Sequence, residues 1–435
     1  MKNSMRKILT IAAFTSAAVV QWSCKKDFAN PNAATDEQVF SSPKGLTGVV
    51  VGLQRVYTLQ RASNLYNLVT VNGLTTNELI VVNTGNTGEV QLAAGGNTVD
   101  GNNSILTTFW TNLNKVIYDA DKVISSTPSV VPDKNYASGL IAYASILKAM
   151  ALGDLSEFWE KVPSGIGTNV TFIDRIDGYK KAITVLDDAL ATITANPVSA
   201  SFIANVPAGI DITNTLYALK ARYSLAAGLY PQALTAANAV NLTVKSTFNF
   251  DALSLNPLYE IATSTNNVVQ PKDSTLGLQP VALEPSLADK RIPFYTTLNT
   301  TILPRYRING FGAAAATAFP VYLPGEMTLI KAECYTRVPD LVNGLIELNK
   351  IVTKTPASDP FGVGADLPAL IGPFTQAQLL DQIYKHRCIE LFMSGLKLED
   401  MRRFGRPNSE RRRNLMPYPL RERDNNPNTP TDPPF

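Results

Sequence analysis

The residues best equipped for chemistry gather in the last third of the chain. Arg387 and Glu390 stand three apart, Asp400 and Arg402 follow shortly after, and Glu326 and Glu333 precede them. Two carboxylates facing one another in a cleft can cleave a glycosidic bond, provided that one keeps its proton near neutral pH. Here every carboxylate has an arginine close in sequence, which favours ionised, paired groups. The six therefore read as a scaffold that pins helices together. Arg387 and Glu390 share a helix face by their spacing, and Arg387 is expected to reach Glu333 or Glu326 across packed helices.

Other reactive types are scarce. His386 is the single histidine, set in Tyr384-Lys385-His386-Arg387, and reads as a partly exposed structural residue of a helix. Any Ser-His-Asp or Cys-His triad would have to use it. One histidine and no clustered cysteines leave no expected transition-metal site. Gly95-Gly96 lies in an Asn/Gly/Thr stretch without the strand and helix that frame a phosphate loop. No catalytic residue, metal or cofactor is expected. Cys334 and Cys388 each sit in an apolar-periodic segment; a disulfide is open to them in an oxidising compartment, and two buried thiols fit the setting better. A formal charge of +3 on 435 residues is close to neutral, which implies no nucleic-acid partner. The one basic run, Arg402 to Arg413, is interrupted by Phe404, Gly405 and Pro407, and reads as a helix end followed by a solvated loop.

The amino end speaks to location. Lys2, Arg6 and Lys7 are followed by an apolar run from Ile8 to Val20 and then by Gln21-Trp22-Ser23-Cys24. That order is a secretory signal over residues 1–23, too short for the roughly 20 apolar residues of a membrane span. A cysteine at the cleavage point is the acceptor for bacterial lipoprotein acylation, so Cys24 is the expected lipid attachment. Acyl chains would hold the protein to a membrane that it does not cross.

The elements that position these residues are mostly helices. Apolar stripes predict helices over 36–61, with a break near Ser41-Ser42-Pro43, and over 109–124, 137–159 and 179–193. Within 216–240, Gly228 ends one helix and Pro231 starts the next, where its missing N–H costs nothing. Ala227-Gly228-Leu229-Tyr230-Pro231-Gln232-Ala233-Leu234 resembles the turn of a tetratricopeptide helix pair. A second pair is expected over 327–352, around Pro339. Residues 81–104 and 243–324 lack a sustained stripe and are read as long, loop-rich insertions, which are usually functional. The segment 424–435, rich in Pro and Asn, is expected to be extended and solvated. The expectation is a mainly α fold, with stacked tetratricopeptide-like pairs as a scaffold and an irregular portion on one side. A single domain is expected over 24–435.

Several motifs carry a resemblance. Leu323-Pro324-Gly325-Glu326 through Glu333-Cys334-Tyr335 resembles the central helix of the SusD/RagB family of Bacteroidota outer-membrane lipoproteins. Arg387-Cys388-Ile389-Glu390-Leu391-Phe392, Gly395, and Asp400-Met401-Arg402-Arg403-Phe404-Gly405 are similar to that family's most characteristic block. Met416-Pro417-Tyr418-Pro419-Leu420 through Asn426-Pro427-Asn428 resembles its closing motif. Gly73 to Glu78, Asn256 to Tyr259 and Asp289-Lys290-Arg291 occur upstream in the family's order. The chain departs from the pattern at Ser394, at Leu396 to Glu399 and at Asn77, where acidic, aromatic and Asp residues respectively are common.

The resemblance implies a non-enzymatic, cell-surface lipoprotein of the outer membrane. It would bind glycan, or in some cases peptide, and pass it to a SusC-type TonB-dependent β-barrel transporter. Sugar sites commonly set an aromatic ring against the apolar face of a pyranose, with amides and carboxylates for the hydroxyls. Trp110 and Trp159 read as core residues. The loop-borne candidates are Tyr66, Asn77, Glu78, Tyr295, Tyr306 and Arg307, together with the 81–104 segment. Two other readings stay open at this point, a surface-tethered glycoside hydrolase and a purely structural helical lipoprotein.

Overall fold

A computed structural model describes residues 35–263 and 267–435. The expected signal segment and Cys24 lie outside the described residues. Contacts divide the chain into Met1–Val39 and Phe40–Phe435. Of the first unit only the opening of a helix over Asp36–Phe40 is described, and the second carries everything below.

Twelve helices form the frame, named here in chain order. They are α1 (Pro43–Thr58), α2 (Asn64–Thr75), α3 (Thr87–Ala94), α4 (Ser104–Val130), α5 (Lys134–Phe158), α6 (Arg175–Ala195), α7 (Ile212–Ala226), α8 (Tyr230–Asn238), α9 (Pro324–Arg337), α10 (Leu341–Val352), α11 (Gln376–Glu390) and α12 (Lys397–Arg403). Their starts follow from local chemistry. Ser42 and Ser63 accept from backbone N–H groups at the heads of α1 and α2, as do Asn103 for α4 and Asp133 for α5. Such caps satisfy donors that a helix leaves orphaned. Thr375 and Gln378 form a reciprocal capping box at the start of α11. Gly228, at φ +74°, closes α7 in a backbone conformation that other residues resist.

The helices pack serially. α4 lies against α5, α5 against α6, α6 against α7, α7 against α8, α8 against α9, and α9 against both α10 and α11. This is the expected stack of antiparallel pairs. α5 is long and apolar enough to cross a bilayer by composition; it is instead the most enclosed helix of the stack, buried on nearly every side from Ala137 onward. Leu329, Ala332, Leu348, Ile351, Leu379 and Ile383 form a satellite core between α9, α10 and α11, and the remaining core is one cluster. Trp110 and Trp159 belong to it, edge to face at 4.9 Å.

The irregular portion is folded more tightly than its composition suggests. Three antiparallel two-stranded ribbons involve it, and a fourth, β2–β3, lies in the connection between α5 and α6. β1 (Leu79–Val81) pairs with β5 (Val269–Pro271), β2 (Lys161–Pro163) with β3 (Phe172–Asp174), β4 (Thr247–Phe248) with β8 (Phe319–Pro320), and β6 (Thr296–Leu298) with β7 (Tyr306–Ile308). The expected loop over 81–104 contains α3 and a 3-10 turn at Gly96–Thr98. Only Gly88, Glu89 and Leu92 of α3 are buried, so no apolar stripe announced it; polar bonds from Arg61 and Tyr66 to Glu89 anchor it instead. The tail is not freely solvated either. Asn426 is buried and donates to Val170 O at 3.0 Å, and Asp432 accepts from the Tyr418 N–H at 2.8 Å.

Candidate functional site

The charged block separates into four groups, each completed by partners from far away in sequence. Arg387 forks onto Asp400, with Nε to Oδ2 at 2.9 Å and Nη2 to Oδ1 at 3.0 Å. Glu333 lies 3.9 Å from Arg387 Nε and is bonded more closely by Arg403, at 2.7 and 2.9 Å, and by Arg337 at 2.7 Å. Burial alone would raise the Glu333 pKa, but Arg403, Arg387 and Arg337 outweigh it and hold the carboxyl at about 2.

Glu326 does not meet Arg387. It takes a two-pronged bond from Arg222, at 2.6 and 2.7 Å. Glu390 faces away from Arg387 despite the three-residue spacing, and accepts from Lys354 at 2.5 Å and from Arg291 at 3.1 Å. Arg291 is fully buried, forks onto Asp289 and places Nη2 2.9 Å from His386 Nδ1. A guanidinium only donates, so Nδ1 accepts and His386 is neutral. Burial and then the charge of Arg291 hold its pKa well below the usual range. His386 is therefore buried, contrary to the partly exposed position expected. Arg402 donates to Glu157 O at 2.5 Å and to Glu399 at 3.0 Å, with Arg175 also on Glu399. Far from ending in a solvated loop, the basic run is bonded inward at Arg402, Arg403 and Arg413. Cys334 and Cys388 are free, buried thiols.

Carboxyls with raised pKa lie outside the block. Burial pushes Asp154 up to about 7, against the Tyr57 hydroxyl bonded to it at 2.6 Å and the nearby Arg222. Burial and then Glu399 push Glu157 well above its ordinary value. Both line a narrow, partly open pocket of about 40 Å³ with Tyr57, Arg222, Tyr223 and Glu326. A space of that size holds a water or two and no sugar ring.

Of the six candidates expected in loops, Tyr66 lies in the first turn of α2, Tyr295 in a short helix over Arg291–Tyr295, and Tyr306 and Arg307 in β7. Only Asn77 and Glu78 are in a connection, and the six fall into two sets by exposure. Tyr66 and Tyr295 are buried, their hydroxyls committed to Glu89 Oε1 and Glu390 O at 2.5 Å. Glu78 is 1% exposed, and its Oε1 has no bonding partner among the described residues; burial pushes its pKa up to about 7. Asn77, Tyr306 and Arg307 are half-exposed. β7, which carries the last two, lies beside β5, tied by the Ile308 N–H to Gln270 Oε1 at 2.8 Å.

Asn77 borders a surface groove of about 210 Å³. Its floor comes from Leu74, Leu79, Val90 and Ala93, and its rim includes Thr84, Lys272 and Arg412. Asn77 adopts φ +63° and donates from Nδ2 to Glu410 O at 3.0 Å. Lys272 and Arg412 were not anticipated. Lys272 enters through its strand-end bond to Glu78 O at 3.0 Å, and Arg412 is one cation in a run of several whose orientations only the fold distinguishes.

The assembled features define a scaffold of stacked helical hairpins that carries a ribbon-and-loop face. No family model matches the chain, and no curated protein sequence matches it. Solved structures do. A SusD superfamily protein from Bacteroides vulgatus superposes with a TM-score of 0.69 at 14% identity, covering 90% of this chain and 99% of that one. A SusD-like protein from Bacteroides fragilis gives 0.70 at 13% identity, covering 92% and 99%. A SusD-like carbohydrate binding protein from Bacteroides fragilis gives 0.62 at 15% identity, covering 84% and 87%. The chain has the mainly α SusD-superfamily fold along nearly its whole length.

Proposed function

We propose that this protein is a cell-surface lipoprotein that captures glycan and delivers it to a SusC-type TonB-dependent barrel in the outer membrane. The observation that carries this reading is the likeness of fold, which spans 90% of this chain and 99% of a SusD superfamily neighbour. In this reading Cys24 carries the lipid, the membrane is met through acyl chains alone, and the helical stack is a rigid support. The ribbons β1, β5 and β7 with the α2–α3 segment form the capturing face. Asn77, Tyr306 and Arg307 offer amide, phenol and guanidinium groups there. The reaction chemistry stays with other proteins; this one binds and hands over.

Two measurements test the proposal. Affinity capture from mildly solubilised outer membranes of the native host should recover a large β-barrel in stoichiometric amount. A glycan array probed with the mature protein should show binding to a defined oligosaccharide class. Loss of the barrel from every mild extract refutes delivery, and a blank array, with peptides also unbound, refutes capture.

A further inference from the structure

The basic run from Arg402 to Arg413 contains one arginine that the fold holds and leaves unused. Arg402, Arg403, Arg406, Arg411 and Arg413 all donate to protein acceptors. Arg412 is exposed, and its guanidinium has no hydrogen-bond or ion partner among the described residues. Its backbone, in contrast, is clamped on both sides. The N–H donates to Thr75 O at 2.7 Å, and the carbonyl accepts from the Gly96 N–H at 3.0 Å. Gly95, at φ +72°, makes that approach possible, because a Cβ there would stand 2.3 Å from Arg412 O. The fold thus spends a glycine turn on fixing a guanidinium that bonds to nothing among the described residues.

Lys272 stands on the same groove in the same condition, with its backbone N–H fixed to Glu78 O at 3.0 Å and its ammonium exposed. Among the described residues none that lines the groove is acidic. Its floor is aliphatic, and Asn77, whose amide nitrogen donates to Glu410 O, brings its amide carbonyl to the same groove. Two unneutralised cations over an apolar floor, beside an amide and the Thr84 hydroxyl, match an amphipathic ligand with one compact negative group. A guanidinium fork can take a planar carboxylate through two parallel hydrogen bonds, and lysine adds a point charge.

We propose that this groove is the subsite for a uronic-acid residue of the captured oligosaccharide. Arg412 and Lys272 hold its carboxylate, Asn77 Oδ1 accepts from a hydroxyl, and the Leu79–Val81 edge takes the apolar face of the ring. The inference rests on the glycan-capture reading and adds the charge class of the cargo.

Calorimetric titration of the mature protein tests it with size-matched galacturonide, mannuronide and glucuronide oligomers, their carboxyl-reduced counterparts, and a sulfated neutral oligosaccharide. The expected result is binding of at least one oligouronide with carboxyl reduction abolishing it. Arg412→Gln and Lys272→Gln should each weaken that binding about ten-fold or more at unchanged melting temperature, with Arg412→Lys falling between. Equal binding of the carboxyl-reduced oligomer, preference for the sulfated one, or unchanged affinity in both glutamine variants overturns the inference. Neutral glycans bound with every oligouronide ignored overturns it while leaving glycan capture intact; no glycan bound at all removes both.

Discussion

Replacing Glu333 with glutamine tests whether the charged block acts as a structural clamp. Glu333 is fully buried on α9 and gathers Arg403 and Arg337 at 2.7 Å, with Arg387 at 3.9 Å. Its carboxyl is held at about 2 in the fold against an ordinary 4.5. That difference corresponds to about 3 kcal/mol of stability at neutral pH. Because the folded pKa is the lower one, this contribution is complete above pH 4.5 and is lost as pH falls toward 2. Glutamine keeps the shape but not the charge, and leaves three guanidiniums with less compensation. Breaking a buried pair costs about 3–5 kcal/mol, which for a chain of this size lowers the melting temperature by about 4 °C. Differential scanning calorimetry at pH 7, together with urea titrations of both proteins from pH 7 down to pH 2.5, measures it. The gap between wild type and Glu333→Gln should be widest at pH 7 and narrow steadily below pH 4.5. A variant within about 1 °C of wild type at pH 7, or a gap that does not close in acid, refutes the clamp.

Two further substitutions probe the interior. Asp154 has the opposite sign to Glu333, since burial raises its pKa to about 7 from 3.8. Its ionisation in the folded state destabilises, so Asp154→Asn should melt higher than wild type at pH 8, and the difference should shrink as pH falls through 7 toward 4. A constant difference across that range would show that the site does not titrate as described. Gly325→Ala would place a Cβ 1.9 Å from Glu390 Oε1, and overpacking of this kind costs about 1–3 kcal/mol; an unchanged denaturation midpoint would contradict the close approach of α9 and α11.

The helices were legible because apolar periodicity and caps are local signals, and burial follows the same stripes. α5 and the α7–α8 pair emerge from the sequence with the starts of α5 and α7 displaced by three and four residues, and with the Gly228–Pro231 junction in place. α3 does not, since its anchor is Glu89 bonded to Arg61 and Tyr66 rather than a buried stripe. Spacing misled at Arg387 and Glu390. Two residues three apart can share a helix face, yet one turns to Asp400 and the other to Lys354 and Arg291. Asp400 comes from α12, Arg291 from a short helix over Arg291–Tyr295 and Lys354 from the loop after α10, and no periodicity records how these meet α11. Among the candidate ligand residues, Asn77 borders the groove, while the hydroxyls of Tyr66 and Tyr295 are spent inside. Tyr66 and Tyr295 sit in helices that the sequence reads as loops, so their inward direction is not foreseen there. Arg412 shows the converse, since its availability depends on its neighbours being occupied.

The segment beyond residue 415 has a consequence for how the molecule comes together. Trp159 Nε1 donates to Pro417 O at 3.0 Å, Trp110 Nε1 to Glu422 at 3.1 Å, and Tyr418 donates to Lys161 O at 3.1 Å. Among the described residues, these two indole donors are thus satisfied by residues some 250 to 310 positions later. A nascent or truncated chain lacking that stretch would hold its tryptophans with unanswered polar edges, so completion of the native state waits for synthesis to pass residue 422. Contacts of such long sequence separation are of the kind that slows folding.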